Sequence, residues 1–181
     1  MAVDDQPENP DPFIVQVLIF RPLCLIVLLA NFIIITRYIF FFQLCYAKRK
    51  SIFTAQAHEK GITNLREFNI DTTAISVGIE TGLVCIALSS GRYVFLDTNA
   101  QKKSMKELFT FDSKEVSPKI VNAGKEEFLV LGPGGLGVFT TSMGTSEKPP
   151  IIWQQSVHSV VIDGINVVAM ANDVIFVNRW V

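Results

Sequence analysis

Leu83-Val84-Cys85-Ile86-Ala87-Leu88-Ser89-Ser90-Gly91-Arg92-Tyr93-Val94-Phe95-Leu96-Asp97 is the stretch that decides the fold class. Two short apolar runs, rich in β-branched and aromatic residues, flank a Ser-Ser-Gly turn. Neither run is long enough for an ordinary helix, so the stretch reads as a β-hairpin. The same grammar recurs downstream. Phe128–Leu131 and Val138–Thr141 flank Gly132-Pro133-Gly134-Gly135, and Val167–Met170 and Val174–Val177 flank Asn172-Asp173. Ile151–Trp153 and Val157–Ile162 are further short runs. Upstream, residues 51–70 alternate weakly around a turn at Glu59-Lys60-Gly61. The three hairpins start about forty residues apart, the period of a propeller blade. The chain from residue 47 to 181 is therefore expected to be all-β, a partial β-propeller of about three blades. Lys102 to Leu108 is the one stretch here that reads as a helical turn. An incomplete ring is expected to expose apolar faces on its first and last blades.

The 181 residues carry a net charge of −1, and 49% of them are hydrophobic. Near-neutral charge supplies no basic face for nucleic acid. Cys24, Cys45 and Cys85 show no Cys-x-x-C or Cys/His spacing and read as buried thiols. The mean hydropathy of +0.36 is high for a globular chain, and the excess lies in one place. Residues 1–12 are acidic and proline-rich and read as a disordered lead. Residues 13–46 are strongly apolar and read as a helical segment, with residues 23–46 long enough to cross a membrane. Lys48, Arg49 and Lys50 follow it, which would leave the remainder cytosolic. Arg37 opposes that reading, because a charge at mid-depth costs about 3 kcal/mol, and Pro22 limits the helix at its start.

No residue pattern points to catalysis, a cofactor or a metal. Gly132-Pro133-Gly134-Gly135-Leu136-Gly137 has the look of a phosphate loop, but it lacks the Lys-Ser/Thr ending and runs into a strand instead of a helix. Pro133 also withdraws a backbone donor. A strand-linking turn is the reading that fits. His58 and His158 stand far apart with no nucleophile or acid spaced around them. Asp71, Asp97, Asp112, Asp163 and Asp173 sit singly in turns. Lys102, Lys103 and Lys106 read as a solvated cluster. Phe128, Phe139, Trp153 and Trp180 are candidates for packing between blades or for an interface.

Glu126-Glu127-Phe128-Leu129-Val130-Leu131-Gly132-Pro133-Gly134-Gly135-Leu136-Gly137-Val138-Phe139, followed by Trp153, resembles the citron homology (CNH) domain. The likeness is to the form in the family of the transforming growth factor-β receptor-associated protein and vacuolar sorting tethers. Gly132, Pro133, Gly134, Gly135 and Gly137 carry the family's turn. Asn9-Pro10-Asp11-Pro12-Phe13 and Leu83–Leu88 also match. The resemblance covers residues 9–17 and 45–181. It departs over Leu18–Gln43, where the family passes directly from an Asp-Pro-Phe strand into a basic strand like Ala47-Lys48-Arg49-Lys50-Ser51-Ile52. That extra segment reads either as a membrane helix or as the translation of a retained intron, since Phe-Phe-Phe-Gln can be encoded by an intron's 3′ boundary.

The resemblance implies a protein-interaction module, not an enzyme, in a subunit of an endosomal or vacuolar vesicle tether. It implies other tethering subunits and a Rab-type GTPase as partners. The location expected is cytoplasmic, on endosomal or vacuolar membranes, reached indirectly or through residues 23–46. A single-pass membrane protein with a small cytosolic β domain is the alternative from another class. A third is the CNH-type regulatory domain of a kinase or exchange factor.

Overall fold

The computed structural model describes residues 13–19, 26–29, 32–35, 42–58, 60–100, 105–111 and 118–180, with side chains described from Gln43 onward. The lead of residues 1–12 lies outside them. So do Cys24, Arg37, Lys102, Lys103 and Asp112.

The chain opens with β1 (Phe13–Ile19), followed by a hairpin of β2 (Ile26–Leu29) and β3 (Phe32–Ile35). Next come β4 (Phe42–Lys48), β5 (Ser51–His58) and β6 (Gly61–Asn69). They form the first sheet in the order β1-β4-β5-β6. The helix expected within residues 13–46 is not what forms, because every described residue of that segment lies in β1 to β4. The composition explains the outcome. Phe13-Ile14-Val15-Gln16-Val17-Leu18-Ile19 and Phe32-Ile33-Ile34-Ile35 are dominated by β-branched and aromatic residues, which crowd a helix and suit a pleated ladder. β1 pairs antiparallel with β4 from Phe13 opposite Lys48 to Ile19 opposite Phe42. The extra segment therefore enters and leaves the ladder at facing residues, Leu18 and Gln43. Among the described residues no helix is long and apolar enough to cross a membrane.

The second sheet is an antiparallel meander of β7 (Ala74–Glu80), β8 (Leu83–Leu88), β9 (Arg92–Asp97) and β10 (Met105–Thr110). β10 replaces the helical turn expected at Lys102–Leu108, since Met105, Lys106 and Glu107 pair with Leu96, Phe95 and Val94 of β9. The third sheet holds β11 (Ile120–Gly124), β12 (Glu127–Gly132), β13 (Leu136–Thr141) and β14 (Gly144–Thr145), with β15 (Ile151–Ile152) also on β13. The fourth is β16 (Ser159–Asp163), β17 (Asn166–Met170) and β18 (Ile175–Arg179). The three hairpins read from the sequence are β8–β9, β12–β13 and β17–β18. The sheet that precedes them is built by β1 and β4–β6.

The sheets stack face to face in chain order, and strand alternation explains how. Val84, Ile86 and Leu88 point one way, joining Cys45, Ile52 and Phe68 of the first sheet in one core. Cys85 and Ala87 point the other way, into a second core with Phe128 and Val130 of the third sheet. Leu129, Leu131 and Phe139 then form a third core with Val160, Val167 and Ala169 of the fourth. Each such large side chain contributes about 1.5–3 kcal/mol on full burial. β1, β7, β11 and β16, the first strands of the four sheets, neighbour one another in turn. A buried hydrogen bond ties the second sheet to the third, with the Tyr93 hydroxyl donating to the Leu131 carbonyl at 2.7 Å.

The fourth sheet's other face is open. Val161, Met170, Ile175 and Val177 lie on it at 55%, 43%, 66% and 66% exposure.

Candidate functional site

The glycine-rich loop between β12 and β13 is a single 3-10 turn at Pro133–Gly135, closed by the Leu136 amide donating to the Pro133 carbonyl. Gly134 and Gly135 have φ of +65° and +75°, the left-handed region that glycine enters without a side-chain clash. The turn is occupied by the chain itself. The Trp153 amide donates to the Gly135 carbonyl at 2.8 Å. A Cβ at Gly135 would lie 2.6 Å from the carbonyl oxygens of both Trp153 and Gln155. The loop is thus a socket for residues 151–155, and its inner side leaves no room for a phosphate.

Gly137 completes the socket. Its own Cβ would meet Cη2 and Cζ3 of the Trp153 ring at 2.7 Å, so the missing side chain is what admits the indole. Trp153 is 2% exposed, and its Nε1 donates to Asn178 Oδ1 at 2.9 Å, which fastens the third sheet to β18. Phe128 and Phe139 are buried as well, Phe128 against Phe95 at 5.3 Å between ring centroids. Phe128, Phe139 and Trp153 therefore pack between sheets. Phe139 also lies 5.3 Å from the Trp180 ring. Lys148 Nζ sits 3.9 Å over that ring and 5.2 Å over Phe139 while pairing with Glu127. Burial alone would lift the Glu127 carboxyl, yet the hydrogen bond from Lys148 carries it below its ordinary range.

The scattered titratable residues do not converge. His58 Nε2 lies 3.2 Å from Thr63 Oγ1, and His158 is exposed at the far end of the fold. Asp97 accepts the amides of Asn99 and Ala100 at 2.8 and 3.3 Å, as an Asx turn requires. Burial pushes the Cys45 thiol up to about 12 and Cys85 higher still, which makes both poor nucleophiles. Among the described residues no three His, Cys, Asp or Glu side chains are placed to hold a metal ion.

One feature escaped the sequence reading. Where the first and second sheets diverge there is an open cleft of about 500 Å³, lined by Gln43 of β4, Gln56 of β5, Asn64, Leu65 and Arg66 of β6, and Thr98 and Asn99 beyond β9. These residues come from four separate places in the chain, so no local motif announces them.

Four antiparallel sheets stacked in chain order, their first strands side by side, define a scaffold of the β-propeller type. The chain belongs to the CNH domain family, whose model matches residues 31–179. It is 28% identical over 177 residues to transforming growth factor-beta receptor-associated protein 1 of Bos taurus, covering 98% of this chain and 17% of that one. The Homo sapiens protein of the same name is 26% identical over the same span. The homolog from Danio rerio is 31% identical over 111 residues, 61% of this chain and 12% of that one. The chain thus spans about a sixth of the length of these curated relatives. Among solved structures, the AfRom2 CNH domain is similar at a TM-score of 0.48 and 12% identity, covering 77% of this chain and 47% of that one. The WD40 domain of SCAP from fission yeast gives 0.49 and 10%, covering 89% and 38%.

Proposed function

We propose that this chain is part of a protein-interaction module in a vesicle-tethering subunit, and that it acts by binding other tethering subunits and a Rab-type GTPase on endosomal or vacuolar membranes. The observation that carries the reading is the likeness to transforming growth factor-beta receptor-associated protein 1 along 98% of the chain. The relatives' name describes a protein that associates with another protein. The buried glycine socket supports the reading from the chemical side, because the family's most conspicuous motif is spent on packing instead of ligand chemistry. Binding, not catalysis, is the activity proposed.

The test is recovery of the tagged parent protein from cells under mild lysis. Tethering subunits should co-purify, and a GTP-locked Rab-type GTPase should be retained over its GDP-locked form. Recovery without any tethering subunit, or equal retention of the two nucleotide states, overturns the proposal.

A further inference from the structure

We infer that the cleft between the first and second sheets receives an extended acidic peptide of a partner protein, with Arg66 taking its carboxylate. The inference deepens the proposed interaction role and rests on it for the identity of the partner.

The cleft is built by an irregularity in β6. Thr54 of β5 faces Arg66 and Gln56 faces Thr63, so Ala55 alone stands opposite Asn64 and Leu65. Asn64 adopts φ of +54°, a conformation that asparagine tolerates better than most side chains. The bulge breaks the alternation of β6, and Asn64, Leu65 and Arg66 all line the cleft in succession. Bulges commonly re-aim side chains in this way. β6 is also the edge strand of its sheet, and residues 61–67 are exposed throughout. Because the bulge interrupts the edge ladder, a ligand here is held mainly by side chains.

The lining sets the ligand's chemistry. Gln43, Gln56, Asn64 and Asn99 line the cleft with side-chain amides, and no lining residue is acidic. Asn64 Nδ2 donates to Gln56 Oε1 at 2.7 Å and Asn99 Nδ2 to the Thr81 carbonyl at 3.3 Å, so a peptide backbone would bond the amide groups that these contacts leave. Arg66 donates to the Thr98 carbonyl and lies 5.5 Å over the Phe68 ring, both neutral groups. Two other cations are paired with carboxylates, Arg92 with Asp71 and Glu107 and Lys148 with Glu127, while Lys106 donates to the Ser142 carbonyl at 3.0 Å but lies outside the cleft. Arg66 is thus held in place by neutral partners, with its charge available to an incoming carboxylate. Such pairs with arginine are the stronger, geometrically specific kind. Leu65, 63% exposed at the rim, adds an apolar contact for a neighbouring residue. A small molecule would want an apolar, enclosing pocket. A polyphosphate would want several clustered cations, whereas this cleft has one.

The test uses the full chain and a fluorescent peptide of alternating leucine and aspartate, with its leucine–lysine counterpart as control. The acidic peptide should bind saturably, and the basic one should not. Arg66→Gln and, separately, Leu65→Asp should each weaken binding by at least about tenfold. Leu65 is exposed, so Leu65→Asp tests the cleft even if Arg66→Gln loosens the fold. No binding by the wild-type chain, equal binding by folded Leu65→Asp, or preference for the basic peptide or for inositol hexakisphosphate overturns the inference. Peptide binding by a chain whose parent recovers no tethering subunit would overturn the trafficking reading alone. Recovery of tethering subunits that survives Leu65→Asp, without peptide binding, would overturn the cleft alone.

Discussion

β12 and β18 both carry continuous apolar runs, Phe128–Leu131 and Ile175–Val177, and meet opposite fates. In β12, Phe128 and Val130 are buried against the second sheet, while Leu129 and Leu131 are buried against the fourth. In β18, Phe176 packs inward on the third sheet, but Ile175 and Val177 on the other face remain 66% exposed. Apolar residues on a strand thus reveal which faces want a neighbour, not which faces have one. The difference between the strands lies in what is stacked beside them.

The largest expected effect tests how tightly the inner junction is closed. Gly135→Val combines a positive φ with a Cβ pressed on two backbone carbonyls, so it should cost about 3–5 kcal/mol and lower Tm accordingly. Gly134→Val shares the positive φ but meets nothing within 4 Å, and should cost about 1–2 kcal/mol. Equal losses in chemical denaturation would show that the socket is looser than described. Nucleotide binding by the wild-type chain, lost in the Gly135 variant, would restore the phosphate-loop reading.

Next in size is Gly137→Ala, at about 1–3 kcal/mol from overpacking against the Trp153 ring. Trp153→Phe should cost about 1–2 kcal/mol through the lost bond to Asn178 and the smaller ring. In the double variant the smaller ring makes room for the new methyl group, so the combined loss should fall short of the sum. Strict additivity would mean that Gly137 is glycine for some other reason.

These glycines mark how far the sequence could be read. The loop's strand-to-strand character was legible, because Val138-Phe139-Thr140-Thr141 follows it and a helix does not. Its partner was not, since Trp153 lies sixteen residues beyond Gly137, past the rest of β13 and the short strands β14 and β15. The hairpins were legible for the same local reason, while the sheet of β1 and β4–β6 was hidden under hydropathy. Residues 13–46 are apolar enough for a membrane, and only their β-branched content favours ladders. Arg66 was invisible, because its place in the cleft depends on a bulge and on Thr98, just past the end of β9.

The open face of the fourth sheet permits a milder test. Val161→Thr with Val177→Thr replaces two exposed methyl groups with hydroxyls, so unfolding free energy should change by less than about 0.5 kcal/mol. Binding of a hydrophobic dye and any self-association should fall in the same variant. The matching pair in the third core, Leu129→Thr with Val167→Thr, should instead unfold the chain or cost several kcal/mol. A dye signal unchanged by the surface pair would place the sticky surface elsewhere.

The smallest effects come from two carboxylates whose surroundings oppose each other. Arg92 bonds to Asp71 and holds its carboxyl below the ordinary range. Burial, aided by the nearby Glu126 charge, holds the Glu80 carboxyl above it. A depressed folded-state value means stability that is present above the unfolded value of about 4 and lost as pH falls through the folded one. A raised value means the reverse, a cost present once the group is charged and relieved as pH falls. At pH 7, Asp71→Asn should therefore destabilise slightly and Glu80→Gln should stabilise slightly. Asp71 is more than half exposed, so screening keeps its effect below about 0.5 kcal/mol. Both differences from the wild type should shrink toward zero in acid, where all four side chains are neutral. The Glu80 difference should fade first, because its carboxyl takes up a proton at higher pH. Thermal unfolding followed from pH 7 to pH 3 would show this order, and two variants that shift Tm in the same direction at pH 7 would refute the opposition.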